Sequence, residues 1–196
     1  MPRNWNDDPF TKKARKENFL ARSIYKLEEI EKKHRILHGA KTILDLGAAP
    51  GSWSQFCLKK CPEAKVIAVD LKPMGFEHPR LKSFCQSIED VSWKEMLGDN
   101  KADVVISDMA PNTSGNADRD CALSHELATI ALEAAMDHLK PGGHFVVKYF
   151  MGSDFEEYRN ELRARFEKVS QQRPDSTRKQ SREIFFIAKG LKAEAT

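Results

Sequence analysis

Four apolar runs in this chain stop on residues that can do chemistry. Thr42-Ile43-Leu44-Asp45-Leu46 leads into the turn Gly47-Ala48-Ala49-Pro50-Gly51, and Val66-Ile67-Ala68-Val69 ends on Asp70. Val104-Val105-Ile106-Ser107 ends on Asp108, and His144-Phe145-Val146-Val147 ends on Lys148. Short β-branched runs of this kind read as buried strands. In an open α/β sheet, ligands bind beyond the carboxyl ends of the strands, where the strand order reverses. The Gly47–Gly51 turn lets a ligand approach the backbone and opens onto a helix N-terminus. Asp70, one strand on, suits the two hydroxyls of a ribose.

The dinucleotide fingerprint G-x-G-x-x-G is absent, so the turn is not built for a pyrophosphate. An acid, Asp45, stands before the first glycine and a proline lies within the turn. A carboxylate there matches an α-ammonium group, held directly or through water. That favours S-adenosylmethionine over NAD. Asp108 and Lys148 end adjacent central strands, where paired charges facing one crevice are expected of a site more than of an inert core.

The elements that must position these residues follow from periodicity. Phe19-Leu20, Ile24, Leu27 and Ile30 recur at helical steps, which predicts a helix over Pro9 to Lys33, with Gly39 as a stop. Ser52 to Lys60 reads as a helix and Ser83-Phe84-Cys85 as a weak strand. A loop with Pro111, Ser114 and Gly115 precedes an apolar-striped helix near 122–139, broken by Pro141-Gly142-Gly143. A charged helix covers about 154–164, and β-like segments follow at about 166–171 and 183–189. Alternating strands and helices predict one α/β domain with a parallel sheet whose last two strands pair antiparallel. The single domain spans 1–196, with a basic helical extension at 1–40, a core at 41–190 and a tail at 191–196.

Net charge is only +3, but residues 1–41 carry +5 and residues 155–196 carry +3, around a centre of −5. Basic flanks suit a polyanion held by the two ends of the chain. No apolar run approaches a membrane span, and Met1 to Asp8 lack the apolar stretch of a secretory leader, so a cytoplasmic protein is expected. The four cysteines form no C-x-x-C pair and no ligand spacing with the histidines. No metal is expected, and the thiols are expected to be reduced and mostly buried.

Leu44-Asp45-Leu46-Gly47-Ala48-Ala49-Pro50-Gly51-Ser52-Trp53-Ser54-Gln55 resembles the cofactor loop of the FtsJ/RrmJ family of RNA 2′-O-methyltransferases, and Ser107-Asp108-Met109-Ala110-Pro111-Asn112 resembles its fourth strand end. Arg22-Ser23-Ile24-Tyr25-Lys26-Leu27, Val146-Val147-Lys148, and Pro174 to Arg178 through Ser181-Arg182-Glu183 look like the family's other blocks, in order from about residue 9 to 190. The resemblance implies a Rossmann-like methyltransferase fold: a seven-stranded, mostly parallel sheet with an antiparallel last strand and helices on both faces. It also implies a Lys-Asp-Lys-Glu tetrad, here Lys26, Asp108, Lys148 and Glu183. The cofactor set it points to is Asp45, Gly47, Pro50, Gly51, Ser52, Trp53, Asp70 and Asp108. Two positions depart from the family pattern. Ser52 replaces a frequent glycine, and Ile88 stands where an acid often binds the adenine amino group, which leaves a backbone carbonyl, Glu89 or Asp90 for that task.

A ribose 2′-hydroxyl is a poor nucleophile, so an enzyme must align it with the methyl and help it lose its proton. Lys148 is expected to accept that proton or stabilise the developing alkoxide, with Asp108 and Lys26 positioning it and Glu183 orienting. The turn after Asp108 has no aromatic residue to stack on a flipped base, which favours ribose over base as the target. Lys12, Lys13, Arg15, Lys16 and Arg22 are expected to contact RNA phosphates, with Arg173, Arg178, Lys179 and Arg182 as the opposite wall of a cleft. The chain is most similar to the family's bacterial branch, which implies a uridine of large-subunit ribosomal RNA as target and a structured RNA, the large subunit, as partner of a monomer. A tRNA ribose methyltransferase and a non-catalytic assembly factor are the rival readings.

Overall fold

The structure, a computed structural model, describes residues 8–178 and 181–193. Strands β1 (Thr42–Leu46), β2 (Lys65–Asp70), β3 (Leu81–Cys85), β4 (Ala102–Ser107), β5 (Leu139–Phe150), β6 (Phe166–Gln172) and β7 (Glu183–Leu191) form one seven-stranded sheet in the order β3-β2-β1-β4-β5-β7-β6. β1 to β5 pair in parallel, and β7 runs antiparallel to both β5 and β6. The order reverses between β1 and β4, so the carboxyl ends of these two strands border the crevice.

Helices α1 (Pro9–Lys16), α2 (Ile24–His34), α3 (Ser52–Lys60), α4 (Trp93–Leu97), α5 (Ala117–His138) and α6 (Phe155–Arg165) cover the sheet. Because strand side chains alternate, each run feeds two cores. Ile43, Val104, Ile106, Val146, Phe185 and Ile187 pack with Leu27 and Ile30 of α2 and with Trp53, Cys57 and Leu58 of α3. Leu44, Leu46, Val105, Phe145, Val147 and Phe186 face the other way, onto Ala128, Ala131, Leu132 and Ala135 of α5 and Tyr158 and Leu162 of α6. The alanine stripe of α5 permits a close approach to the sheet, and Asn116 caps the helix by accepting the amides of Asp118 and Arg119 at 3.1 Å. This helix therefore starts five residues ahead of the predicted one.

The single N-terminal helix expected from periodicity is two. Asn18 takes a left-handed conformation at φ 60°, and the Phe19 amide returns to the Ala14 carbonyl at 2.8 Å. Asparagine tolerates that conformation better than most residues, which ends α1 and turns the chain into α2. The apolar step through Phe19 continues across this break because Phe19 packs beside Ala14, Ile24 and Tyr25. Nor is α2 an appendage, since Leu27 and Ile30 are fully buried in the central core. Cys57, Cys61 and Cys121 are buried as expected, whereas Cys85 is exposed at the end of β3; all four are free.

The amino ends of three strands are fixed by one carboxylate. Asp103 on β4 accepts the amides of Lys41 and Thr42 at 2.8 Å each and pairs with Lys140 of β5. Burial opposes its ionisation, but the Lys140 and amide hydrogen bonds together hold its carboxyl below the ordinary range. A depressed carboxyl contributes stability above its unfolded pKa and loses it as pH falls through the folded value. Asp103→Asn is therefore expected to lower unfolding free energy by about 1–3 kcal/mol near neutrality. In urea titrations this difference should shrink below about pH 3.5; equal stability at pH 7 would contradict the assignment.

Candidate active site

The cofactor end is built around β1. Asp45 shares its face with Ile43, is 0% exposed, and accepts the Ser54 hydroxyl at 2.6 Å through Oδ2. Its Oδ1 is buried with no hydrogen-bond partner. Gly47 has φ 72°, and a Cβ there would lie 2.4 Å from Met109 Cγ, so only glycine fits the turn. The Gly47 and Ala48 amides donate to the Val69 carbonyl, and the Ala49 amide donates to Asp70 Oδ2 at 2.9 Å. Asp70 Oδ1 receives the Lys72 amide at 2.8 Å, and each oxygen keeps acceptor capacity for a hydroxyl. Leu71, 75% exposed, leaves an apolar face beside that carboxylate.

Next to it, the four predicted tetrad residues meet. Lys148 continues the face of Val146, is 6% exposed, and donates to the Asp108 carbonyl and to Asp108 Oδ1 at 3.1 Å. Lys26 of α2 lies 4.0 Å from Asp108 Oδ1 and 2.7 Å from Glu183 Oε1. Thr177 Oγ1 donates to Glu183 Oε1 at 3.3 Å. Two ammonium groups thus alternate with two carboxylates, and the shared face follows from strand parity: Asp108 is in step with Ile106, Lys148 with Val146 and Glu183 with Phe185.

Other sequence-derived residues fall differently. Trp53 is 2% exposed in the core, its indole N–H donating to the Ser23 carbonyl at 2.9 Å, so its side chain braces the turn. Ser52 is equally buried, with its hydroxyl 2.9 Å from that of Ser23. The Pro50 carbonyl accepts the Gly75 amide at 2.8 Å, and a Cβ on Gly51 would lie 2.6 Å from Phe76, so the segment after β2 packs on the turn. Glu89 and Asp90 are exposed in a short 3-10 turn, Ile88–Asp90, beyond β3. The Glu89 carboxylate accepts the Ser87 hydroxyl next to it.

Lys12, Lys13, Arg15 and Lys16 lie exposed on α1, and Arg173, Arg178 and Arg182 are exposed around the β6–β7 connection; Lys179 falls outside the described residues. Arg22 is instead committed within the protein, donating to Asp8 and to the Ser176 carbonyl. That contact joins the α1–α2 segment to the β6–β7 connection, the two stretches that carry these basic residues. Sequence reasoning missed Ser54, Met109, Ser23 and Thr177. Ser54 alone carried a signal, as the third residue of a helix that opens under an acid.

The match to an FtsJ-like methyltransferase family model runs over residues 19–191. A protein of Bdellovibrio bacteriovorus named ribosomal RNA large subunit methyltransferase E is 41% identical over 185 residues, which covers 92% of this chain and 94% of that one. A Thiobacillus denitrificans protein of the same name is 40% identical over 188 residues, 93% of this chain and 84% of that one. The chain belongs to the FtsJ-like methyltransferase family. Its fold is also that of a Plasmodium falciparum crystal structure described as a putative ribosomal RNA methyltransferase, with TM-score 0.79, 30% identity and coverage of 88% of this chain and 98% of the other. Human methyltransferase-like protein 13, solved with SAH, shares the fold alone, at TM-score 0.58 and 17% identity over 88% of this chain and 82% of that one.

S-adenosylmethionine is the methyl donor of this methyltransferase, and the residues present fit it. The orphaned Oδ1 of Asp45 matches the α-ammonium, Asp70 the ribose, and the turn glycines leave room along the backbone. Complete burial pushes the Asp45 carboxyl up to about 7, the Ser54 hydrogen bond opposes this, and the Asp108 and Asp70 charges add to it. A raised carboxyl favours the neutral form, so its contribution to stability is present at low pH and lost as pH rises from the usual carboxylate range through about 7. An ammonium beside Oδ1 favours the ionised form instead. Cofactor affinity is therefore expected to rise with pH, by up to about tenfold per unit, until it levels off near Asp45's own value. Calorimetric titration with S-adenosylmethionine between pH 5.5 and 8 checks this. Asp45→Asn should bind more weakly with a flat profile, and a flat wild-type profile would contradict the assignment.

Proposed function

We propose that this methyltransferase acts in the cytoplasm on a ribose 2′-hydroxyl of structured RNA, a uridine of large-subunit ribosomal RNA, with Lys148 as base or alkoxide stabiliser. The observation that carries the reading is the disposition of Lys148 Nζ. Two of its directions are taken by the carbonyl and carboxylate of Asp108, and one remains for a substrate. In the amine that direction is a lone pair able to accept the hydroxyl proton; in the ammonium it is an N–H able to stabilise an alkoxide.

When bound, adenosylmethionine supplies an electrophilic methyl on sulfur. The proton that the ribose hydroxyl gives up would pass to Lys148 or through it to solvent. Asp108 holds Lys148, Lys26 holds Asp108, and Glu183 holds Lys26. Positioning of this kind is worth up to roughly 7–11 kcal/mol of barrier, and a base adds about 10²–10⁴-fold. Met109, Ala110 and Pro111 follow Asp108 with no aromatic ring for a flipped base, which supports a ribose target. The names of the bacterial relatives support ribosomal RNA of the large subunit. Exposed Lys12, Lys13, Arg15, Lys16, Arg173, Arg178 and Arg182 serve as phosphate contacts, and the protein works as a monomer with no metal.

Labelled adenosylmethionine incubated with either large ribosomal subunits or bulk tRNA tests this. Label is expected in large-subunit RNA, with Lys148→Ala slower by about 10²-fold or more at unchanged cofactor affinity. Label in tRNA alone would overturn the substrate, and near-normal turnover by Lys148→Arg would exclude Lys148 as the base, because a guanidinium does not deprotonate.

A further inference from the structure

Ser23, Lys26 and Glu29 stand three residues apart and so share one face of the α2 segment. Ser23 meets the cofactor turn, through its hydroxyl on Ser52 and its carbonyl on Trp53. Lys26 meets the tetrad. Glu29, which no motif marks, accepts the amide of Asp175 at 2.6 Å through Oε2 and that of Ser176 at 3.1 Å through Oε1. A carboxylate that receives two successive amides fixes the backbone of the turn that carries them. That turn closes on itself, the Thr177 amide donating to the Pro174 carbonyl at 2.9 Å, and Arg22 binds the Ser176 carbonyl from the other side. The next side chain, Thr177, is 9% exposed and donates to Glu183.

The contacts form a path: Glu29 to the turn, the turn to Thr177, Thr177 to Glu183, Glu183 to Lys26, and Lys26 to Asp108. β7 fixes the backbone of Glu183, while the direction of its carboxylate is set by Lys26 and Thr177. Removing one of these two guides frees the other, and small displacements near a reacting centre are costly, about 10²-fold for 1 Å.

We infer that Glu29 is a positioning residue for methyl transfer, which holds the Pro174–Thr177 turn so that Thr177 aims Glu183, and through it Lys26, at Asp108. The inference rests on the tetrad reading above. It also makes the exposed arginines at 173, 178 and 182, which flank this turn, neighbours of the support of the tetrad.

A double-mutant cycle tests it, with single-turnover rates on large subunits and cofactor affinity as readouts and Lys148→Ala as control. Glu29→Gln keeps one acceptor oxygen and turns an NH2 towards the second amide, so the rate is expected to fall about tenfold at unchanged cofactor affinity. Glu29→Asp, which restores the charge, should recover part of the loss. Thr177→Val should fall by a similar factor, and the double variant should be no slower than the worse single variant. Rate losses that multiply in the double variant, or an unaltered rate in Glu29→Gln, would overturn the inference. If Glu29→Gln does not fold, Thr177→Val decides alone, with an unaltered rate as the contrary result. If Lys148→Ala were also unaltered, the tetrad reading itself would have failed; if only the Glu29 and Thr177 variants were, this inference alone would fall.

Discussion

Lys148 follows the apolar run Phe145-Val146-Val147 in β5, and its side chain sits almost out of water. A charge there is expensive to desolvate unless hydrogen bonds and a counter-charge replace its hydration. Asp108 supplies both, from the end of the neighbouring parallel strand, because β4 and β5 pair with Ser107 opposite Val147. Asp108 also meets a second cation, Lys26, which comes from α2, outside the parallel strands. Leu27 and Ile30 seat α2 in the central core, and this placement sets Lys26 between Asp108 and Glu183.

Strand parity does the rest of the sorting. Along β1, β4, β5 and β7 alternate residues turn to the α2–α3 side, and the chemistry-bearing residues Asp45, Asp108, Lys148 and Glu183 are all in that phase. The opposite phase carries mainly core, packed on α5 and α6. One sheet therefore presents Asp45, Asp108, Lys148 and Glu183 on a single face, and α2 brings Lys26 to it. The same face receives α3, whose first turn supplies Ser54 to hold Asp45 in place.

This division was largely legible in the sequence. Short continuous apolar runs that end on an acid or a lysine gave the strands, their parallel pairing and the crevice. The resemblance added Lys26 and Glu183, which spacing alone would have left as surface charges. What local pattern hid were the partners distant along the chain. The break at Asn18 depends on one residue tolerating a left-handed conformation within a continuing apolar step. The side chains of Trp53 and Arg22 bind within the protein, to the Ser23 and Ser176 carbonyls, which are backbone atoms that no motif records. Glu29 and Asp175 lie 146 residues apart and meet only once the sheet is assembled.

On the function proposed above, this face serves a ribose hydroxyl and not a base. Nucleoside mass analysis of large-subunit RNA methylated by the purified protein tests it most directly, by showing which fragment gains the methyl mass. The account predicts the methyl on the ribose of a uridine, with the adjoining phosphodiester resistant to alkali because its 2′-oxygen is blocked. A methyl carried on the base, with the linkage still cleaved by alkali, would contradict it.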